Sequence, residues 1–201
     1  MLTVAIASEN DAMDAEVYRY LLERLLGTEV TRWKTDITFD RGGLRRVHCL
    51  TPAFLETAAR YGVTRALIAI DNDGGTQKGP EHVAGHLPLQ DGADEKSCRV
   101  CWLSQRVPES WRSNSHRACI VIPVQTLETW LLVLKGHDFD GKPPEKIFDR
   151  SNLKKKFYGR PLPASRRCTE LALEQLRRPD ALDVLRQRPS FQHFADQLRS
   201  W

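Results

Sequence analysis

The sequence predicts an α/β protein with a mostly parallel sheet that is flanked by helices. Short apolar runs recur at 2–7, 66–70 and 118–122, each of a length that suits a buried strand. Segments with helical periodicity lie between them. Acidic, Asn-rich or Gly-rich turns follow several of the runs. Strands that alternate with helices need crossover connections, which favours parallel neighbours.

The first strand is predicted over 2–7, and a helix follows it to about Leu26. Asn10 or Asp11 can cap the helix start, and Gly27 suits its C-terminal cap. One face of this helix is apolar and carries Met13, Val17, Leu21 and Leu25. Glu9 therefore lies in the loop after the first strand, where a carboxylate can either favour the helix dipole or bind a metal.

A second strand is predicted over 29–34, followed by a flexible glycine loop over 40–46. The loop carries Arg41, Arg45 and Arg46, so its backbone can approach a phosphate while the arginines supply charge. Thr51 is predicted as the N-cap of the next helix and Pro52 as its first residue.

The third strand, over 66–70, runs directly into Asp71-Asn-Asp73 and two glycines. The fourth strand, over 118–122, is followed by a helix whose buried stripe comprises Leu127, Trp130, Leu131 and Leu134. Glu128 lies in the first turn of that helix. Because the carboxyl ends of parallel strands share one edge of a sheet, we expect these acidic residues and Glu9 to line one crevice.

Composition indicates a cytoplasmic protein that binds a polyanion. The chain is 41% hydrophobic and 28% charged, with no apolar run near the roughly 20 residues that span a bilayer and no leader-like start. Residues 141–201 carry 14 Lys and Arg against 7 Asp and Glu, whereas the first 140 carry 16 against 19. A basic C-terminal section suits a nucleic acid, and it also fits solvated helix faces.

Residues 74–117 break the alternating pattern and are interpreted as an insertion. His82 and His86, followed by Cys98 and Cys101, match a tetrahedral zinc set in ligand type and pair spacing. Four protein ligands leave no open position, so such a zinc would be structural. The alternative is a chance CxxC pair with unrelated histidines, and disulfides are not expected from five cysteines in this context.

Residues 1–140 are assigned to the α/β domain, and 141–201 to a basic helical extension that packs on it. Helices are predicted over about 166–178, 180–187 and from Ser190 onward, the last with an apolar face. The cluster Lys154, Lys155 and Lys156 is the strongest candidate for phosphate contacts in this section.

The acidic set Glu9, Asp71, Asp73 and Glu128 points to phosphodiester chemistry. Carboxylates hold Mg²⁺ or Mn²⁺, and the metal polarises a phosphate and activates water. A Glu after the first strand, a hydrophobic strand ending in Asp-x-Asp and a glycine-rich loop between them resemble the TOPRIM fold of topoisomerases, primases and overcoming-lysogenization-defect nucleases. The similarity extends to small stand-alone TOPRIM-like proteins through the segments Ile6–Glu9, Ile70–Asp73, Ile122–Leu132 and Pro189–Phe194.

The resemblance implies that Glu9, Asp71 and Asp73 bind the metal, that Glu9 can also move a proton, and that Glu128 completes the site. It implies a Mg²⁺-dependent nuclease, with DNA favoured over RNA, in phage defence or DNA processing. The best-known nucleases of this kind carry an ATPase domain, so an ATPase or another protein is an expected partner.

Two alternatives remain. One is a non-catalytic nucleic-acid-binding or regulatory subunit of a defence system. The other is a haloacid-dehalogenase-like phosphatase with Asp71 as nucleophile, although Asp71 follows two strand–helix units where such a nucleophile stands near the N-terminus.

Overall fold

The computed structural model describes residues 1–37, 39, 43–71, 98–113, 115–123, 126–141 and 150–201, the side chains at 11, 150 and 151 excepted. The strands are β1 (Leu2–Ser8), β2 (Val30–Arg32), β3 (Arg65–Ala69) and β4 (Arg117–Val121). The helices are α1 (Asp11–Leu26), α2 (Gly43–Arg60), α3 (Arg99–Ser104), α4 (Leu127–Leu134), α5 (Arg150–Tyr158), α6 (Ser165–Leu176), α7 (Ala181–Arg186) and α8 (Pro189–Gln197). Single 3-10 turns occupy Glu109–Trp111 and Leu198–Ser200.

The described strands form one parallel sheet in the order β2-β1-β3-β4. The predicted α/β class with a mostly parallel sheet is thereby confirmed. The chain steps from β1 outward to β2 and then returns to the other side of β1 for β3. This reversal makes the carboxyl ends of β1 and β3 a topological switch point, where open α/β sheets form their crevices.

Both faces of the sheet are buried, because side chains along a strand alternate between them. One core contains Val4 and Ile6 of β1 and packs against α1 and α4 to α8. The other contains Ala5 and Ala7 of β1 and packs against α2 and α3. The arrangement has three layers, and it explains why the strands read as continuous apolar runs.

The predicted extent of α1 and its end at Gly27 are confirmed, but Asn10, which precedes the helix, makes no side-chain capping hydrogen bond within the described part of the chain. The helix runs from Asp11 to Leu26, and Gly27 ends it in the left-handed conformation with φ 64°. The Gly27 amide donates to the Glu23 carbonyl at 2.9 Å, which satisfies one of the carbonyls left open at a helix end.

The prediction for α2 was wrong at its start. Gly43 to Arg46 belong to the helix and not to a glycine loop, and Pro52 lies inside it. The buried positions Leu44, Val47, Thr51, Phe54, Leu55 and Ala58 keep one helical stripe across the proline. Pro52 offers no N–H to the His48 carbonyl four residues earlier, and that carbonyl instead accepts a long hydrogen bond of 3.4 Å from Arg106 Nε. Apolar burial along the stripe outweighs the local stop signal.

Part of the predicted insertion belongs to the core. Cys98, Val100, Cys101, Leu103 and Trp111 are all buried in the same core as α2. Residues 72–97, which include most of that insertion, lie outside the described residues.

The C-terminal section packs on the other face of the sheet. Its three predicted helices correspond to α6, α7 and α8, which are confirmed, and all three contribute to the core that α1 lines. Helix α5, which contains the lysine cluster, was not predicted; Leu153 and Phe157 bury one side of it.

Side chains from helices cover the outward backbone groups of both edge strands. At β2, the Val30 amide donates to Glu23 Oε1 at 3.1 Å and its carbonyl accepts from Arg19 Nη1 at 2.9 Å. At β4, the Ile120 amide donates to Gln197 Oε1 at 3.0 Å and its carbonyl accepts from Gln197 Nε2 at 2.8 Å. Such caps block pairing with a further strand at these positions.

Candidate functional site

Glu9 and Asp71 meet at the switch point of the sheet. Glu9 follows the last residue of β1, and Asp71 comes two residues after the end of β3. The backbone amide of Asp71 donates to Glu9 Oε1 at 3.1 Å. The predicted convergence of these two residues is therefore present, and it results from the parallel register of β1 and β3.

Glu128 lies at the same edge, in the first turn of α4 just beyond β4. It is 1% exposed, and neither carboxylate oxygen has a hydrogen-bond partner among the described residues. Lys154 Nζ of α5 lies 3.7 Å from Glu128 Oε1, too far for a hydrogen bond but close enough for an ion pair. A buried carboxylate with so little local compensation is typical of a functional site.

Asp14 is a fourth carboxylate of this crevice, and the sequence analysis missed it. It lies in α1, is 6% exposed, and its Oδ1 has no hydrogen-bond partner within the described part of the chain. Burial raises the pKa of the Asp14 carboxyl well above its ordinary value, and the negative charges of Asp71 and Glu128 raise it further, while Lys154 opposes them. The carboxylates of Asp71, Glu128 and Glu9 are thus close enough to Asp14 to interact with it electrostatically.

A signal for Asp14 was present in the sequence. Asp14, Val17, Tyr18 and Leu21 stand at i, i+3, i+4 and i+7, so a carboxylate occupies the apolar stripe of an amphipathic helix. A charged residue at such a position is rarely buried without a partner or a function.

The same carboxylates also raise the pKa values of two buried tyrosines. The pKa of the Tyr18 phenol is raised well above its usual value by burial and then by the charge of Asp14. Burial likewise raises the pKa of Tyr158, with Glu128 and then Asp14 as the main charges that add to it. The Tyr158 hydroxyl has no hydrogen-bond partner in the described ranges.

Arg99 supports the backbone at Asp71. Its side chain is buried, and Nη1 donates to the Asp71 carbonyl at 2.6 Å. A buried guanidinium beside the acidic residues was not anticipated, although a charged residue within a segment that also carries Val100, Cys101 and Leu103 is unusual.

The carboxylates suit a hard divalent cation in ligand chemistry. Among the described residues, however, no three His, Cys, Asp or Glu side chains are grouped so that they could hold a metal. Asp73, the remaining member of the predicted set, lies outside the described residues. Mg²⁺ in proteins often uses only one or two carboxylates, with water and phosphate oxygens completing its shell.

The predicted phosphate-contact residues divide into three groups. Lys154 lies in the crevice through its ion pair with Glu128, whereas Lys155 and Lys156 are exposed on α5. Arg45 and Arg46 are exposed on α2, and Arg41 is outside the described residues. Lys154 is thus positioned beside a predicted site carboxylate.

Several other arginines of the C-terminal section have structural partners. Arg178 donates to the Leu134 carbonyl at the end of α4 and pairs with Asp180 at 2.7 Å. Arg199 pairs with Asp196 at 2.9 Å. Part of the basic excess therefore stabilises helix ends and local pairs.

The zinc set stays a prediction. Cys98 and Cys101 are both buried, and burial together with the neighbouring Cys101 thiol raises the pKa of Cys98 to about 11. His82 and His86 lie outside the described residues.

Comparisons with protein-family models, with curated proteins and with solved structures found no match for this chain. Within the part of the chain that the structure describes, no helix is long and apolar enough to cross a membrane.

Proposed function

We propose that this protein is a TOPRIM-like, Mg²⁺-dependent nuclease that cleaves phosphodiesters of DNA in preference to RNA. The observation that carries the proposal is the convergence of Glu9, Asp71, Glu128 and Asp14 at one edge of a parallel sheet. The crevice lies at the switch point, where α/β proteins bind their ligands.

Each residue has a role in this proposal. Asp71 and Asp73 hold the metal, and Glu9 either shares it or moves a proton to or from the attacking water. The hydrogen bond from the Asp71 amide orients Glu9 at 3.1 Å, and Arg99 holds the Asp71 carbonyl at 2.6 Å. The bound metal would polarise the phosphate and stabilise the leaving oxygen.

Lys154 and the exposed basic residues would bind the nucleic-acid backbone. The Lys154 ammonium is a compact charge on a flexible stem, so it can reach a phosphate that enters the crevice. Lys155, Lys156, Arg45 and Arg46 would contribute salt-dependent contacts that carry no sequence preference.

The test uses supercoiled DNA and single-stranded RNA with Mg²⁺, Mn²⁺ or EDTA. Asp71→Asn keeps the side-chain volume and the backbone bond to Glu9 while it removes the charge. Its matched control is Asp183→Asn, which changes a carboxylate on α7 that is 81% exposed. We expect cleavage in Mg²⁺ that is absent with EDTA, lost in Asp71→Asn and retained in Asp183→Asn. Unchanged cleavage by a folded Asp71→Asn protein would refute the assigned site.

A second function is favoured by two observations. The Lys154–Glu128 ion pair partly neutralises the crevice, and no three-ligand group is present among the described residues. Both facts fit a nucleic-acid-binding subunit that does not cleave and acts with a defence partner. Salt-dependent DNA binding that is equal in Mg²⁺ and EDTA, without cleavage in either, would favour this alternative.

A further inference from the structure

An aromatic cleft lies beside the end of β2. Its cavity of about 490 Å³ is lined by the stretch from Trp33 to Ile37, by Thr57 of α2 and by Tyr61, which follows that helix. The ring centroids of Trp33 and Tyr61 are 5.9 Å apart, and the ring planes are inclined at 42°. The roles proposed for the acidic crevice use none of these residues.

The backbone holds both rings in place. The Trp33 amide donates to the Val4 carbonyl at 2.8 Å, and the Trp33 ring packs against Phe54 of the core at 5.7 Å between centroids. The Tyr61 amide donates to the Ala58 carbonyl at 3.1 Å. A ligand that stacks on these rings therefore has little of the protein to order.

Both rings present surface to solvent, and cations border them. Tyr61 is 74% exposed and Trp33 is partly exposed, although rings of this size usually contribute to a core or an interface. Lys34 lines the cleft, and the exposed Arg60 directly precedes Tyr61. Neither cation forms an ion pair within the described part of the chain, and together they outweigh Asp36 of the lining. Aromatic rings bordered by positive charge suit the bases and phosphates of a nucleic acid.

We propose that the aromatic cleft stacks an unpaired base of a single-stranded nucleic acid, with Lys34 contacting a neighbouring phosphate. Every base has a π face, so this contact holds a strand without reading its sequence. Open aromatic grooves also take proline-rich peptides, but the bordering cations favour a polyanion.

The cleft can act on the strand that enters the acidic crevice. Trp33 pairs with Val4, and Ser8 at the crevice end of β1 lies about 13 Å further along that strand, at about 3.3 Å per residue. A strand with one base in the cleft can therefore place a phosphodiester a few nucleotides away beside Glu9. The inference rests on the proposed function, because it adds a base contact to the same nucleic acid.

The experiment measures binding in EDTA, so it does not depend on cleavage. The full chain is titrated into a fluorescently labelled oligothymidine of about 15 nucleotides, a usual site size, and anisotropy is recorded. Tyr61→Leu should raise Kd about tenfold, whereas Tyr61→Phe keeps the ring and should bind like the wild type. The matched control is Leu162→Ala, which changes an apolar side chain that is 57% exposed; its Kd should not change.

Two further readouts identify the contacts. An oligonucleotide of the same length with abasic sites should bind the wild type about tenfold more weakly, because it offers no base to stack, and Tyr61→Leu should discriminate less between the two strands. Lys34→Met should lower the slope of log K against log salt by about 0.7, the value for one phosphate contact on a single strand.

The outcomes separate the aromatic cleft from the nuclease proposal. Binding that depends on Tyr61 and on the bases, without cleavage in Mg²⁺, would support the cleft and count against the nuclease. Cleavage together with a Kd that Tyr61→Leu leaves unchanged would overturn the cleft and leave the nuclease standing. A proline-rich peptide that binds through Tyr61 while the oligonucleotide does not would also overturn it, as would a wild type that binds neither.

Discussion

Replacing Lys154 by Met should destabilise the protein through Glu128, which would keep its charge in a site where it is 1% exposed. Removing one partner of a fully buried pair costs about 3–5 kcal/mol. The Lys154 side chain is 24% exposed and its ammonium lies 3.7 Å from the carboxylate, so solvent screens this pair in part. We therefore expect a loss of about 1–3 kcal/mol in the free energy of unfolding.

The pairwise contribution can be isolated with Glu128→Gln, which removes the charge and nearly keeps the shape. Urea unfolding in EDTA would be measured for the wild type, both single variants and the double variant. We expect a coupling of about 1 kcal/mol, with the double variant more stable than Lys154→Met alone. For a chain of this size, each kcal/mol corresponds to roughly 2–4 °C in Tm. Additive single effects would refute the inference that Lys154 compensates Glu128.

Three further outcomes follow from other contacts. Gln197→Leu should leave the backbone groups of Ile120 at the edge of β4 uncovered and lower the free energy of unfolding by about 1–2 kcal/mol. Its self-association should increase in size-exclusion chromatography with light scattering. A monodisperse variant of unchanged stability would contradict this. At pH 8, a thiol reagent should modify the exposed Cys49 quickly. Burial raises the pKa of Cys98 to about 11, so Cys98 should react only on unfolding. Rapid modification of both would argue against the buried position of Cys98. Burial raises the folded-state pKa of Asp14 well above that of the unfolded chain, so wild-type stability should fall as pH rises from about 4 towards the raised value. In urea unfolding, Asp14→Asn should not show that part of the decline. Parallel pH profiles of the two proteins would disprove this expectation.

The local elements were predictable where one pattern dominated. The apolar runs identified β1, β3 and β4 to within about two residues, and the period of α1 with Gly27 identified that helix and its end. These signals are local, since a strand buried on both faces must be apolar throughout and a helix must repeat every 3.6 residues. The pattern failed at α2. Thr51 and Pro52 resemble a helix start, but the helix already includes the preceding turn because Leu44 and Val47 are buried.

The candidate site was predictable in part for the same reason. Glu9, Asp71 and Glu128 each follow an apolar strand, so the parallel sheet brings them to one edge. Asp14 escaped because its contribution depends on how α1 lies against the sheet, and Arg99 because its contact with the Asp71 carbonyl joins segments 28 residues apart. Neither the packing of α1 nor the Arg99 contact produces a periodic pattern in the sequence.

The sequence alone determined the α/β class, the parallel direction of the strands and the edge at which the carboxylates gather, because periodicity and connectivity specify these. Tertiary structure decided the order β2-β1-β3-β4, the placement of α5 over Glu128 and the burial of Asp14. These depend on which apolar faces pack against each other, and packing determines how much water and countercharge each carboxylate retains. The strand ends therefore supply the carboxylates, and the packing of α1 and α5 around them sets how deeply they are buried.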